Sequence, residues 1–219
     1  MIKTVKHAVQ QAFVLGAVAF CASAASAGTI TIGTTGVVAP AFTEDFEHGA
    51  MGNNVKNQFA SNGIKMATIS GTGIALTSNA QCDNTDRGVS GQYLYMGLTY
   101  PCTGSGVNDA VSINFRDTIS ELSWTGFNRA IGSGYSIMAL MDNVLVSSLT
   151  FNSSNNFENK TVLIKGGNFN ELRFVENSAN SQFFALDNMT WKTAKVPEPG
   201  SIALLALGLG LVASRRRKA

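Results

Sequence analysis

Val111-Ser112-Ile113-Asn114-Phe115 alternates apolar and polar residues without a break. Successive side chains of a strand point to opposite faces, so this run reads as a half-buried β-strand rather than a turn of amphipathic helix. Downstream, Leu122-Ser123-Trp124 repeats the alternation, with Trp124 on the same face as Leu122 and expected in the core. Further strands are expected over 63–69, 93–98, 135–141, 144–151, 161–164, 172–175 and 183–191, the last with Trp191 buried. Breakers separate them, among them Asn62-Gly63, Gly104-Ser105-Gly106, Gly132-Ser133-Gly134, Asn152 to Asn156 and Gly166-Gly167-Asn168. Asp142-Asn143 stands alone between two strong runs and predicts a two-residue hairpin turn. Many short strands with turn signals at this spacing, and no long amphipathic helical pattern, predict an all-β fold: an antiparallel, jelly-roll-like sandwich.

Outward from these strands the composition changes twice. Lys3 and Lys6 precede a mostly small or apolar run from Ala8 to Phe20, and Ala25-Ser26-Ala27 supplies small residues for a signal peptidase. Cleavage is expected between Ala27 and Gly28. Phe20 is too bulky before Cys21 for a lipoprotein signal. At the other end stand Pro197-Glu198-Pro199, an apolar stretch from Ile202 to Ala213, and the basic cluster Arg215 to Lys218. Proline fixes φ and removes a donor, so the tripeptide stays extended and presents Glu198. An apolar helix over about 201–214 is shorter than the roughly 20 residues of a standard span, which suits a transient membrane signal. The basic cluster holds the cytoplasmic side and leaves the domain outside. The chain therefore divides into a signal peptide (1–27), a β-sandwich domain (28–195) and a C-terminal signal (196–219).

The C-terminal residues resemble the PEP-CTERM sorting signal in motif, apolar span and basic tail, taken in that order. The resemblance implies recognition of Pro197-Glu198-Pro199 by exosortase, a membrane-embedded cysteine protease, and delivery to the cell surface or matrix of a Gram-negative bacterium that makes extracellular polysaccharide. The motif is an address and does not itself assign an activity.

Inside the domain, Asp45-Phe46-Glu47-His48-Gly49 and Phe184-Ala185-Leu186-Asp187-Asn188-Met189 resemble the opening and closing strands of jelly-roll, galactose-binding-like carbohydrate-binding modules. The resemblance implies that the first and last strands are neighbours. It also implies a structural Ca²⁺ held by Glu47 and Asp187, with Asp45 as a third ligand. Calcium takes hard oxygen ligands, which these side chains supply. Sugar binding by such modules uses exposed aromatic rings, and Tyr93, Tyr95 and Tyr100 are the candidates.

Charge and residue inventory narrow the function further. Without the two signals, ten basic face thirteen acidic residues, a formal charge of −3. A mildly acidic surface repels phosphate backbones, so nucleic acid is not an expected partner. Two cysteines remain after signal cleavage, Cys82 and Cys102. An oxidising compartment favours their pairing, and a loop of this length would stabilise the fold by roughly 3 kcal/mol. One histidine remains, His48, expected on the surface, and no G-x-S-x-G elbow is present. Gly71-Thr72-Gly73 and Gly132-Ser133-Gly134 lack the following helix of a phosphate loop. The expected protein is a non-catalytic surface or matrix component that associates with polysaccharide. The alternatives are a purely structural or adhesive component and, third, an enzyme with two carboxylates converging in a cleft.

Overall fold

The computed structural model describes residues 27–33, 35–53, 55–71, 73–82, 89–96, 110–128, 135–151, 160–176 and 184–195. Ten strands form one antiparallel sheet: β1 (Thr29–Gly33), β2 (Phe42–Glu44), β3 (Ile64–Ser70), β4 (Ile74–Ser78), β5 (Gln92–Met96), β6 (Ala110–Asn128), β7 (Tyr135–Met141), β8 (Val144–Phe151), β9 (Lys160–Glu176) and β10 (Phe184–Thr193). Among the described residues helix is confined to two short turns, Ala60–Asn62 and Asn79–Cys82. Among the described residues no helix is long and apolar enough to cross a membrane. The expected signal and tail helices fall in residues 1–26 and 196–219, outside the described residues.

Path order in the sheet is β4-β5-β10-β6-β9-β7-β8, with β1 on β9, β2 on β10 and β3 on β6. Two strands, β6 and β9, are long enough to serve both layers. Trp124 pairs with Val162, and Val111 with Phe174. Along a straight strand Val111 and Trp124 would lie roughly 40 Å apart at about 3.3 Å per residue. Yet the rings of Trp124 and Phe174 meet edge to face with centroids 5.7 Å apart. The β6–β9 pair must therefore fold over on itself. It does so where the register shifts, between Asn114 and Glu121 of β6 and between Lys165 and Glu171 of β9. Bulges of this kind bend strands, and Gly166, at φ +93°, supplies a left-handed residue at the turn.

The fold-over makes the expected antiparallel sandwich. One layer holds β3, β7 and β8 with the first half of β6 and the second half of β9. The other holds β1, β2, β4, β5 and β10 with the complementary halves. Val111, Ile113, Phe115, Leu122 and Trp124 all lie in the core between the layers, and so does Trp191. Asp142 and Asn143 (φ +50° and +67°) close the β7–β8 hairpin as a two-residue turn, the left-handed pair that matches strand twist. Among the described residues the first strand, β1, pairs with β9, so the first and last strands are not neighbours as the resemblance implied. The second strand, β2, is the one that lies beside β10.

Candidate metal centre

Strand β10 changes neighbours halfway along its length. Phe184 to Leu186 pair with β5, and Met189 to Trp191 pair with β2. Between those stretches, Asp187 lies opposite Thr125 and Thr190 opposite Ser123, so β10 carries one extra residue there. Asn188 takes it up at φ +49°, a conformation asparagine tolerates better than most residues. The bulge leaves Asp187 buried at 1% exposure, in the gap between the end of β2 and the start of β5. One carboxylate oxygen accepts the Asn188 N–H at 2.7 Å and the other the Ser90 N–H at 3.1 Å.

The chain leaving β2 enters the same gap. Phe46 sits at φ +62°, costly for an aromatic residue. Its ring is fully buried edge-on to Phe59, and its N–H donates to Glu44 Oε1 at 2.9 Å. The other Glu44 oxygen accepts from Asn62 Nδ2 at 2.6 Å. Glu44 and the Phe46 ring thus hold the turn from both sides, while Asp45 and Glu47 stay exposed around it. The Glu47 N–H donates to Asp45 Oδ1. Glu47 Oε1 in turn accepts the Gln92 N–H at 3.1 Å, only two residues from the Ser90 amide that serves Asp187. Between those amides, Gly91 (φ +58°) lets the Glu47 carboxylate rest on its Cα, where any Cβ would overlap it.

Asp45 and Glu47 lie near enough to Asp187 for their charges to act on it. Among the described residues, however, the acidic group whose ligand atoms come within 4.8 Å of one another is Glu44, Asp45 and His48, without Asp187 or Glu47. Asp187 is pushed up to about 6, first by burial and then by the charges of Glu47 and Asp45, against the pull of its two backbone hydrogen bonds. Among the described residues no lysine or arginine pairs with Asp187 or Glu47. Hard oxygens, one of them buried and repelled by two like charges, suit a calcium ion. His48, 63% exposed as expected, lies 3.7 Å from Glu44 and 3.6 Å from Asp45. With them it forms an adjoining group whose ligand atoms lie within 4.8 Å of one another. Glu44 was not anticipated from the sequence, and neither were the Ser90 and Gln92 amides, because backbone donors leave no residue signature.

Other expected sites fare differently. Tyr93 and Tyr95, at 0% and 2% exposure, are no sugar platform. Strand β5 lies between β4 and β10, its even positions fill the core, and the tyrosine face is covered too. Tyr100 and Cys102 lie outside the described residues, and so does any pairing of Cys102 with Cys82. Gly28, the expected new N-terminus, rests against Gly167 at the β9 bend. Near that bend, on the other layer, a cleft of about 240 Å³ is lined by Asn114, Phe115, Asp142, Asn143, Asn170 and Glu171. Asn170 exchanges two hydrogen bonds with Asp142, and Arg173 donates two to Glu171.

Residues 195–218 match the family model of the PEP-CTERM protein-sorting motif, which includes Pro197-Glu198-Pro199. No match to a curated protein was found. Among solved structures, the K1 cleaved adhesin domain of Lys-gingipain from Porphyromonas gingivalis is similar at 12% identity and a TM-score of 0.43, over 70% of this chain and 98% of that one. A family 32 carbohydrate-binding module from C. perfringens NanJ, in complex with galactose, is similar at 12% identity and a TM-score of 0.35, over 58% and 92%. The module CBM36, in complex with calcium and xylotriose, is similar at 14% identity and a TM-score of 0.32, over 69% and 99%.

Proposed function

We propose that this chain is exported, held briefly in the inner membrane, and processed by signal peptidase and exosortase. It then delivers a calcium-stapled, non-catalytic β-sandwich to the cell surface or extracellular matrix. The sorting motif supports the address. The observation that supports the role of the domain is the acidic turn Glu44 to Glu47 set beside the buried Asp187, between β2, β5 and β10, with the charges of Asp45 and Glu47 acting on it. A cation there ties together the last strand and two connecting segments far apart in sequence. That is a structural task, and the burial of Tyr93 and Tyr95 moves weight toward a packing or adhesive component. Mass spectrometry of the protein recovered from the producing cell's surface tests the address. The expected mature chain begins at Gly28 and lacks the apolar stretch Ile202 to Ala213; an intact chain at the surface would contradict it.

A second reading, polysaccharide binding, is favoured by the amide-and-carboxylate cleft beside the β7–β8 turn. Side-chain amides and carboxylates offer donors and acceptors for vicinal hydroxyls, and the Asn170–Asp142 and Arg173–Glu171 bonds hold them in place. Glu171 Oε1 accepts from Arg173 and Asp142 Oδ1 from Asn170, and we read the cleft they line as one for binding. On a glycan array that includes the producer's own polysaccharide, Asn170→Ala is expected to lose about tenfold in retention, as for one charge-assisted hydrogen-bonded contact. No retention of the unaltered domain on any glycan leaves the structural reading in place and removes this one.

A further inference from the structure

Both membrane signals leave the sandwich from the same end. Thr29 of β1 pairs with Lys165, and Gly28 lies against Gly167, so the N-terminal exit is at the β9 bend. At the other terminus Thr193 of β10 pairs with Ile119, and the Ala194 N–H donates to the Thr118 carbonyl at 2.7 Å, so the C-terminal exit is at the β6 bend. From β1 to β10 are three strand spacings, about 14 Å in the sheet. Between Lys195 and the first residue of the apolar stretch, Ile202, the chain can span at most roughly 25 Å. The bent end can therefore stand no farther than that from the hydrocarbon layer.

The surface at this end has the composition such a position calls for. The β7–β8 hairpin reaches it, since Leu140 pairs with Glu171 just before the β9 bend. Its tip leaves Val144 and Leu145 68% and 55% exposed, two adjacent members of the exposed apolar set that also holds Val38, Phe42, Met51 and Ile69 among the described residues. Ser147, farther along β8, touches Gly28, which places the hairpin beside the N-terminal exit. Arg116, Lys165 and Lys195 are exposed around the bend. The acids there each have a partner: Asp117 lies beside Arg116 at 3.4 Å, Asp142 is turned to Asn170, Glu121 pairs with Lys192 at 3.1 Å and Glu171 with Arg173 at 2.7 Å. Exposed apolar side chains with basic side chains nearby partition to the headgroup layer of an anionic bilayer.

We infer that, until its tail is cut, the domain stands on the membrane on this bent end, with Val144 and Leu145 entering the headgroup layer. The opposite end, where β5, β6, β8 and β9 run out at Met96, Asn128, Phe151 and Glu176, faces away. This orientation rests on the tail being a membrane signal, and it says which surface the sorting protease meets. The test uses the full chain in vesicles of phosphatidylethanolamine and phosphatidylglycerol that carry a headgroup nitroxide. A fluorescent amino acid is placed at Leu145, at Arg116 or at Ile69, the last being exposed at the opposite end. Quenching is expected to be several-fold stronger at Leu145 and Arg116 than at Ile69. Equal quenching at all three, or stronger quenching at Ile69, overturns the orientation while leaving the anchoring intact. A chain that does not float with the vesicles overturns both.

Discussion

Trp124→Ala is expected to cost the domain about 3–5 kcal/mol, the usual range for emptying a buried tryptophan site. Trp124 is fully buried and is one of the residues through which the folded-over halves of β6 and β9 touch, its ring meeting that of Phe174 edge to face. Its loss leaves a cavity shared by both layers, which neither can close without moving the other. For a domain of this size such a loss is a fall in Tm on the order of 10 °C, and a large part of a typical stability of about 5–15 kcal/mol. Trp124→Phe keeps a ring against Phe174 and is expected to lose less than half as much. Thermal melts of the two variants check this. A loss below about 1 kcal/mol for Trp124→Ala, the range of surface substitutions, would mean that the ring is not clamped between layers and that the sheet does not fold over.

The second large effect concerns Asp187 and reverses sign with calcium. In the metal-free protein its folded pKa, about 6, lies above the ordinary carboxylate value of 3.8. The native state therefore holds this proton more tightly than the unfolded chain. The contribution of Asp187 to stability is most favourable below about pH 4 and declines as pH rises through 4 to 6. Above pH 6 the full penalty applies, about 3 kcal/mol for a shift of this size. Asp187→Asn removes that charge and keeps an amide oxygen for one of the two backbone donors. With chelator at pH 7.5 the variant is expected to be more stable than the parent by roughly 1–3 kcal/mol, and to lose that advantage near pH 4. With calcium the order inverts, because the parent gains about 4.1 kcal/mol at roughly a thousandfold excess over Kd and the variant gains little. Gly91→Ala is expected to share the loss of response, since its Cβ displaces the Glu47 carboxylate. Melts across pH, with and without calcium, read all three. An Asp187→Asn variant less stable than its parent in chelator would show that Asp187 acts through its hydrogen bonds alone.

Much of the fold was legible because alternation reports burial directly. Val111 to Phe115, the two arms of the β7–β8 hairpin and its Asp142-Asn143 turn appear where the pattern puts them. What the pattern hid was continuity. Arg116 to Ser120 and Gly166-Gly167-Asn168 look like breaks between strands, yet β6 and β9 run through both, and those residues form the bends. A polar or glycine-rich stretch interrupts the hydrophobic signal whether the chain turns or merely bends. β1, β2 and β4 were also missed. Thr29 to Ile32 alternates as cleanly as Val111 to Phe115, so β1 was legible. β2 has only three residues, too few for a pattern, and β4 is buried at four of its five positions and so shows no polar face. The tyrosines mislead for a related reason: alternation assigns Tyr93 and Tyr95 to one face but does not say that the face is covered.

The candidate site was legible in its carboxylates and not in its frame. Asp45, Glu47 and Asp187 stand in short strings that mark where β2 ends and β10 bulges, and the fold sets the first two near enough to act on the third by charge. The Glu44 clamp on the Phe46 amide, the Gly91 seat and the Ser90 and Gln92 donors depend on which segments meet in space. No local spacing encodes that meeting.

Central to the account is that these carboxylates hold calcium and that the ion stabilises the sandwich. Thermal unfolding of the domain at pH 7.5, in chelator and again in excess calcium, tests it most directly. The account predicts a Tm several degrees higher with calcium, an increase that Asp187→Asn abolishes. The same Tm in both conditions would contradict it.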